Sequence, residues 1–163
     1  MKRAAVPSIL VAVVLLAIGV IAEAQEPKKV PRIGVIFPAF SSVFSPFMAA
    51  FREGLHDLSY IEGKSVVVEA RYGEGKEDRL PALAAELVHL RVDIIVAGGG
   101  NATLAAKNAT KNIPIIFLSA TSLNSPSHDM AERLGADAFL AFPVDPEQLD
   151  AVIQGTIAKR KNR

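Results

Sequence analysis

The sequence of 163 residues contains no cysteine and no tryptophan, and it has no excess of charge of either sign. Without cysteine the chain forms no disulfide and carries no cysteine-linked lipid, so an exported form must rely on its hydrophobic core. The 18 Lys and Arg residues nearly balance the 17 Asp and Glu residues. This balance gives no electrostatic reason to bind nucleic acid or an anionic membrane surface.

The usual motifs of nucleotide binding, hydrolysis and metal binding are missing as well. No Gly-Lys-Ser/Thr triplet precedes a predicted helix, and no Gly-x-Ser-x-Gly sequence provides a nucleophile elbow. The three histidines, at positions 56, 89 and 128, do not have the spacing of metal ligands. We therefore expect no metal, no cofactor and no enzymatic activity.

The N-terminus has the three parts of a secretory signal peptide. The basic "MKR" precedes the uncharged run "ILVAVVLLAIGVIA" (9–22), and Ala22-Glu23-Ala24 places small residues before Gln25. The uncharged run is shorter than the roughly 20 residues of a membrane-spanning helix. We expect residues 1–24 to be cleaved, which gives a periplasmic or secreted protein. Anchoring by the uncleaved segment is the alternative.

Between residues 32 and 158, short β-branched runs alternate with amphipathic helical patterns. The predicted strands are "RIGVIF" (32–37), "SVVVEARY" (65–72), "VDIIVA" (92–97), "IPIIFLS" (113–119) and "ADAFLAF" (136–142). Helices are predicted over 46–59, about 80–90, about 101–111, about 126–134 and from 146 onward. This pattern predicts a single flavodoxin-like α/β domain, in which one five-stranded parallel sheet has helices on both faces. Residues 25–31 are expected to be a leader, and 159–163 a basic tail.

Small and polar residues follow the predicted strands, where open parallel sheets bind their ligands. The stretch "VAGGGNATLAAKNAT" (96–110) places a glycine triplet there, but Thr103 takes the place of the third glycine in a dinucleotide fingerprint. Backbone amides at a helix start can still bind a carboxylate. The alternative is a plain tight turn with Asn101 as the helix N-cap. The expected ligand-binding residues are Ser41, Ser42, Gly99, Gly100, Asn101, Thr103 and Ser119.

Four stretches, "FREGL" (51–55), "YIEGK" (60–64), "RLPALAAEL" (79–87) and the glycine triplet, occur in a fixed order. From residue 30 to about 118 they resemble the first lobe of the substrate-binding proteins of ATP-binding-cassette importers, in the group with tryptophan- and tyrosine-binding members. The resemblance implies a periplasmic-binding-protein lobe that passes a small ligand to an inner-membrane permease. It also implies that Ser41-Ser42, Gly99–Asn101 and Ser119 line the cleft. The family usually has Thr-Pro where this chain has Asn101-Ala102.

From about 113 to 157 the sequence resembles a second family. The stretches "PIIFLSA" and "MAERLGADAFLAFPVDPEQLDAVI" are similar to the last part of a two-component receiver domain. The two resemblances divide the domain into a binding-protein-like half (32–118) and a receiver-like half (119–158). Receivers carry an acidic pair, a phospho-accepting Asp and a Lys where this chain has Phe37-Pro38, Gly98 and Phe142. Only Ser119, at the position of the switch hydroxyl, fits that pattern.

The leading hypothesis is an exported, non-catalytic solute-binding protein, reduced to one lobe, with a small polar or amino-acid-like ligand. A single lobe leaves one face of the ligand in water, so binding should be weak unless a partner or a second copy covers the cleft as a homodimer. The alternative function is a receiver-like signalling or interaction module that lacks the phospho-acceptor Asp. A folded remnant without retained activity is the third hypothesis.

Overall fold

The computed structural model describes residues 30–120 and 126–161, and within these ranges the chain forms a five-stranded sheet and five α-helices. The strands are β1 (Arg32–Phe37), β2 (Val67–Tyr72), β3 (Ile94–Gly98), β4 (Ile115–Ser119) and β5 (Ala138–Ala141). The helices are α1 (Ser41–Asp57), α2 (Leu80–His89), α3 (Gly99–Ala109), α4 (Pro126–Arg133) and α5 (Pro146–Lys161), and a 3-10 turn covers Glu77–Arg79. The predicted signal peptide, 1–24, lies outside the described residues. No helix in the described ranges is both long and apolar enough to cross a bilayer.

All neighbouring strands of the sheet are parallel, in the order β2-β1-β3-β4-β5. The predicted fold class, a flavodoxin-like domain with one parallel five-stranded sheet, is confirmed. Because β1 lies between β2 and β3, the strand order reverses there, and the carboxyl ends of β1 and β3 flank the switch point at which such folds bind ligands.

Each face of the sheet buries its own hydrophobic cluster. On one face, Val35 and Val96 of the sheet pack with α1 and α5 through residues such as Phe51 and Leu149. On the other face, alternate strand residues such as Ile95 pack against α2 and α3. Side chains of a strand point alternately to its two faces, so buried runs on these strands need apolar residues at nearly every position. The nearly continuous β-branched runs in the sequence meet this need.

Two aspartates fix the starts of neighbouring strands in the same way. The Asp93 N–H donates to the Arg32 carbonyl at 2.7 Å, and the Arg32 N–H donates back to the Asp93 carboxylate at 2.8 Å. Asp137 repeats the pattern with Ile115, at 2.8 Å and 3.0 Å. Each carboxylate therefore satisfies the first amide of an adjacent strand and helps to set the register between the two strands.

Helix α1 begins five residues earlier than the sequence pattern predicts. Ser45 and Pro46 do not form an N-cap and first-turn pair, because Pro46 lies inside the helix and Phe40 is the N-cap. A proline at this depth removes one backbone hydrogen bond. The ring of Phe44 stacks on Phe37 at a centroid distance of 4.0 Å, and this contact holds the first turn of α1 against the sheet. Aromatic packing thus outweighs the local cost of the proline.

The ends of two other helices also differ from the predicted ones. Helix α3 starts at Gly99 rather than near Asn101. Helix α5 continues to Lys161, so the first three residues of the expected basic tail are helical. Lys and Arg are good helix formers and favour the C-terminal end of a helix, where they complement its dipole.

The substitution Asp93→Ala tests the aspartate link between β1 and β3. It leaves the Arg32 amide without its carboxylate acceptor, so we expect the free energy of unfolding to fall by about 1–3 kcal/mol. Asp93→Asn keeps an acceptor oxygen and should cost less. Urea denaturation measures both, with Asp57→Ala as the control because Asp57 is exposed at the end of α1. Equal effects of Asp93→Ala and Asp57→Ala would contradict the structural role of Asp93.

Candidate functional site

A groove with a volume of about 690 Å³ opens at the carboxyl ends of β3 and β4. Its size falls in the range of roughly 300–1,000 Å³ that is typical of small-molecule sites. Helix α1 forms one wall, the start of α3 and helix α4 form another, and Phe142 after β5 lies beside Phe47 of α1. The lining residues are Val43, Phe44, Pro46, Phe47, Gly98, Gly99, Gly100, Phe117, Leu118, Ser119, Ala120, Ser127, Met130 and Phe142.

The groove is apolar and aromatic. Among the described residues that line it, none carries a charged side chain. The polar groups that it offers are the hydroxyls of Ser119 and Ser127 and the backbone of the glycine triplet. This composition differs from the small polar lining that the sequence suggested, because the structure adds four phenylalanine rings to it.

The phenylalanines of the groove belong to a network of ring contacts. Phe37 contacts Phe44 at 4.0 Å, Phe47 at 5.4 Å and Tyr72 at 5.9 Å between ring centroids. Phe47 also lies 6.1 Å from Phe142. Ring pairs at these separations add to the energy of apolar burial and restrict the rotamers of their members. The wall formed by α1 is therefore held in place before any ligand binds.

The three glycines have different structural roles. A Cβ atom on Gly98 would lie 2.4 Å from Cδ1 of Phe37, so only glycine permits the close approach of β3 to that ring. Gly99 has φ of +81°, a conformation that residues with a side chain rarely adopt. A Cβ atom on Gly100 would lie 2.9 Å from the sulfur of Met130. The triplet thus ends a strand, turns the chain and starts a helix within three residues.

The backbone provides the positive potential of the groove. The first four N–H groups of an α-helix have no partner within the helix and carry about half a positive charge together with the helix dipole. Gly98 is the N-cap of α3 and has no side chain that could cap the first amides of the helix, and Gly99 and Gly100 line the groove.

The pKa of Tyr60 is raised by its burial and by Asp150, but this residue lies outside the groove.

Three of the expected site residues, Gly99, Gly100 and Ser119, lie together in the groove lining. Ser41 and Ser42 do not, because α1 starts at Ser41 and both serines are exposed in its first turn. The strands bring the glycine triplet and Ser119 together because Gly98 pairs with Leu118 in adjacent strands.

The polar side chains that follow the triplet are directed elsewhere. The Asn101 side-chain amide donates to Glu77 Oε1 at 2.7 Å. The N-cap of α3 is Gly98 and not Asn101, so the predicted cap is wrong, whereas the positive φ of Gly99 agrees with the tight turn of the same alternative. The Thr103 hydroxyl is buried and donates to the Gly99 carbonyl at 2.8 Å, one helical turn back. Thr121, another polar residue after β4, lies outside the described residues.

Sequence reasoning missed the aromatic half of the site. Phe47 is buried in the core on α1 and also lines the groove. Phe142, with 36% of its surface exposed, follows β5 at the same edge of the sheet. The available signal was the position of Phe142 at the end of the last predicted strand and of Phe44 in the segment between the first strand and the predicted helix, combined with the rule that strand carboxyl ends meet at the site.

The positions that the receiver-like sequence pattern would occupy with charged residues are uncharged here. Gly98 and Phe142 line the groove, and Phe37 packs beneath it. Within residues 30–120 and 126–161, no group of three or more acidic or histidine side chains could hold a metal ion. The carboxyl edge of the sheet therefore has a chemistry different from that of the phosphorylation site.

A family model described as ABC transporter substrate binding protein matches residues 34–127 of the chain. No curated protein matches the sequence significantly. The matched range begins within β1 and contains β2 to β4 and the glycine triplet, and it includes every lining residue of the groove except Met130 and Phe142.

Two solved substrate-binding structures share the fold at low identity. A ligand-free, open substrate-binding protein with adhesive properties from Clostridium difficile is 19% identical, with a TM-score of 0.53, over 65% of this chain and 33% of its own. An ABC domain from Streptococcus pneumoniae in complex with L-Trp is 18% identical, with a TM-score of 0.53, over 68% of this chain and 38% of its own. The chain thus spans about a third of the length of these two proteins.

A receiver domain shares the fold as well. The CheY-like response regulator receiver domain from Methanospirillum hungatei is 13% identical, with a TM-score of 0.56, over 82% of this chain and 98% of its own. Identities this low demonstrate a common fold and nothing about chemistry, since one fold carries many unrelated functions.

The substitution Gly98→Ala tests the close approach of β3 to Phe37. The Phe37 ring is held by its neighbours and cannot move away easily, so we expect overpacking to lower the free energy of unfolding by about 1–3 kcal/mol. Gly155→Ala is the matched control, because Gly155 lies in α5 with nothing within 4 Å of an added Cβ atom. There, alanine should raise the free energy of unfolding by about 0.5–1 kcal/mol. A stability of Gly98→Ala equal to that of the original protein would refute the packing role of Gly98.

Proposed function

Since the chain belongs to the ABC transporter substrate-binding protein family, we propose that its groove binds a small ligand that combines an anionic group with an apolar, preferably aromatic, body. The family expected from the sequence motifs is confirmed by the match over residues 34–127. The observation that carries the proposal is an uncharged, phenylalanine-lined groove at the N-terminus of α3.

The anionic group would bind at the first turn of α3. Backbone N–H groups at a helix N-terminus attract a carboxylate, and they do so without a charged side chain. An added Cβ atom on Gly99 would have nothing within 4 Å, so the space beside this residue is open to a ligand. The hydroxyls of Ser119 and Ser127 lie in the same lining and would supply further hydrogen bonds.

The apolar body would lie among the phenylalanines. Phe44 and Phe47 line one wall of the groove, and Phe117 and Phe142 line the remainder. A flat aromatic group could make stacked or edge contacts with such rings and would be removed from water by them. The L-Trp bound by the Streptococcus pneumoniae domain is a ligand of this chemical type, and it supports L-tryptophan as a first probe.

The same proposal includes an export and transport role. We propose that residues 1–24 direct the chain to the periplasm or the exterior, and that the protein passes its ligand to an inner-membrane permease without chemical change. The family match supports a ligand-binding role with a transporter as partner. The described residues of the groove lining offer neither a nucleophile and base pair nor a charged group, which also favours binding over catalysis.

Binding would depend on how the open side of the groove is covered. The described residues form one lobe, and Val43 and Met130 at the rim of the groove expose 62% and 40% of their surface. Apolar groups at a rim gain energy when a second surface excludes water from them. We propose that a second copy of the chain or another lobe provides this cover.

A receiver-like interaction module is the second candidate, and the fold match over 98% of a receiver domain favours it. In that case the groove would contact another protein rather than a small ligand. With Gly98 in place of the phospho-accepting Asp, the module would take no phosphate from a phospho-donor.

Ligand binding can be followed through the indole of L-tryptophan, because the protein contains no tryptophan of its own. We expect the emission of L-tryptophan to shift to shorter wavelength and to saturate as protein is added. Tryptamine, which lacks the carboxylate, should bind at least about tenfold more weakly, equivalent to about 1.4 kcal/mol. Emission that stays as in water at every protein concentration would exclude L-tryptophan and count against an aromatic ligand.

The substitution Ser127→Asp tests the anionic end of the ligand. An aspartate in the first turn of α4 suits that helix but places a negative charge in the groove, so we expect the Kd for L-tryptophan to rise about tenfold with little loss of stability. Ser127→Asn is the neutral control of similar size. If both variants bind L-tryptophan equally well, the carboxylate does not lie near the helix starts.

A further inference from the structure

Helix α4 has the fewest buried residues of the three helices that line the groove. Within the described residues, Ala131 is the only buried residue of α4. Helix α1, which forms the opposite wall, buries Phe47, Met48, Phe51, Gly54 and Leu55. Because apolar burial holds a helix against its sheet, α4 can adjust its side chains at lower cost than α1 can.

Met130 extends from α4 onto the first turn of α3. Its sulfur lies 2.9 Å from the position that a Cβ atom on Gly100 would occupy. In a helix the Cα–Cβ bond tilts toward the N-terminus, so the Cβ position of Gly100, and with it the sulfur of Met130, lies toward the first N–H groups of α3. Glycine at position 100 thereby makes room for the thioether beside the proposed anion site.

The same face of α4 contributes both of its groove residues. Ser127 and Met130 are three residues apart, so they are neighbours on the helix surface, and both line the groove. Leu134 continues this face, since its Cδ1 lies 3.7 Å from the Cβ position of Gly100. This face of α4 therefore contacts the first turn of α3 and also lines the groove.

We infer that the side chain of Met130 covers the first turn of α3 and can move aside. Met130 would thereby determine which ligands reach that turn. The inference rests on the proposed function and adds the residue that sets its selectivity. Methionine is unbranched and has three rotatable bonds, so it can move aside at little cost, whereas Phe44 is fixed by its stack on Phe37. With 40% of its surface exposed, Met130 also has space to move into.

The methyl signals of methionine provide a test in the absence of ligand. The chain has three methionines, and Met48 is buried, with 2% of its surface exposed, as an internal reference. In 13C-methyl NMR spectra, assigned with Met130→Ala, we expect the Met130 signal to be narrow and that of Met48 broad. Gly100→Ala should shift the Met130 signal and leave that of Met48 in place. A Met130 signal as broad as that of Met48, or one unmoved by Gly100→Ala, would overturn the inference.

Selectivity provides the second test, with L-tryptophan and L-alanine as probes in calorimetry. Met130→Ala deepens the groove, so we expect the ratio of the two Kd values to change about tenfold in favour of L-tryptophan. Met130→Leu keeps the volume and should change the ratio less. Val43→Ala, on the opposite wall, is the matched control and should weaken both probes alike.

The outcomes separate the two proposals. Binding by the original protein, with an unchanged ratio in Met130→Ala, would overturn the role of Met130 and leave the proposed function standing. Binding of L-tryptophan only after Met130→Ala would support Met130 as a cover. No binding by any variant would refute the proposed function, and the role of Met130 in selectivity with it.

Discussion

The contact between Gly98 and the ring of Phe37 is the constraint on which the site depends. Parallel pairing places the ends of β1 and β3 side by side, and the missing side chain of Gly98 lets the Phe37 ring fill the space between them. The same ring stacks on Phe44 and meets Phe47 edge-on, so it also fixes the start of α1. One close approach thus positions a strand end, the first turn of α3 and the aromatic wall of the groove. A larger residue at position 98 would disturb all three together.

The absence of charge from the described groove lining defines what the site can recognise. A receiver domain and this chain share a fold, yet by the sequence resemblance Gly98 and Phe142 stand where the receiver pattern has an Asp and a Lys. With those charges replaced, the potential of the groove comes from helix starts, and its shape comes from phenylalanine rings. In the proposed complex, selectivity would depend on the fit of an apolar body, while the helix start would set its orientation. The fold supplies the place of binding, and the residues at the strand ends supply the chemistry.

The fold could be predicted from the sequence because its signal is local and repeated. The three inner strands β1, β3 and β4 are buried runs rich in β-branched residues. Helices α1 and α2 bury apolar residues at helical spacing, so the alternation and the sheet type follow. The site was predictable only in part, because side-chain directions depend on distant residues. Asn101 bonds to Glu77, 24 positions earlier in the chain, and Phe44 is held by Phe37 across a loop. The early start of α1, which moved Ser41 and Ser42 out of the site, follows from the same ring contact rather than from local propensity.

The glycine triplet links the position of the site to its need for cover. Gly98 admits a ring, Gly99 turns the backbone, and Gly100 leaves room for the thioether of Met130. Backbone amides bind an anion weakly in water, because water competes for the same hydrogen bonds, and more strongly where the local dielectric is low. Phenylalanines exclude water from one side of the first turn of α3, and Met130 shields another. In the proposed function, the groove would gain its affinity for an anion from the apolar groups around the amides, so apolar contact and charge recognition would be two parts of one interaction.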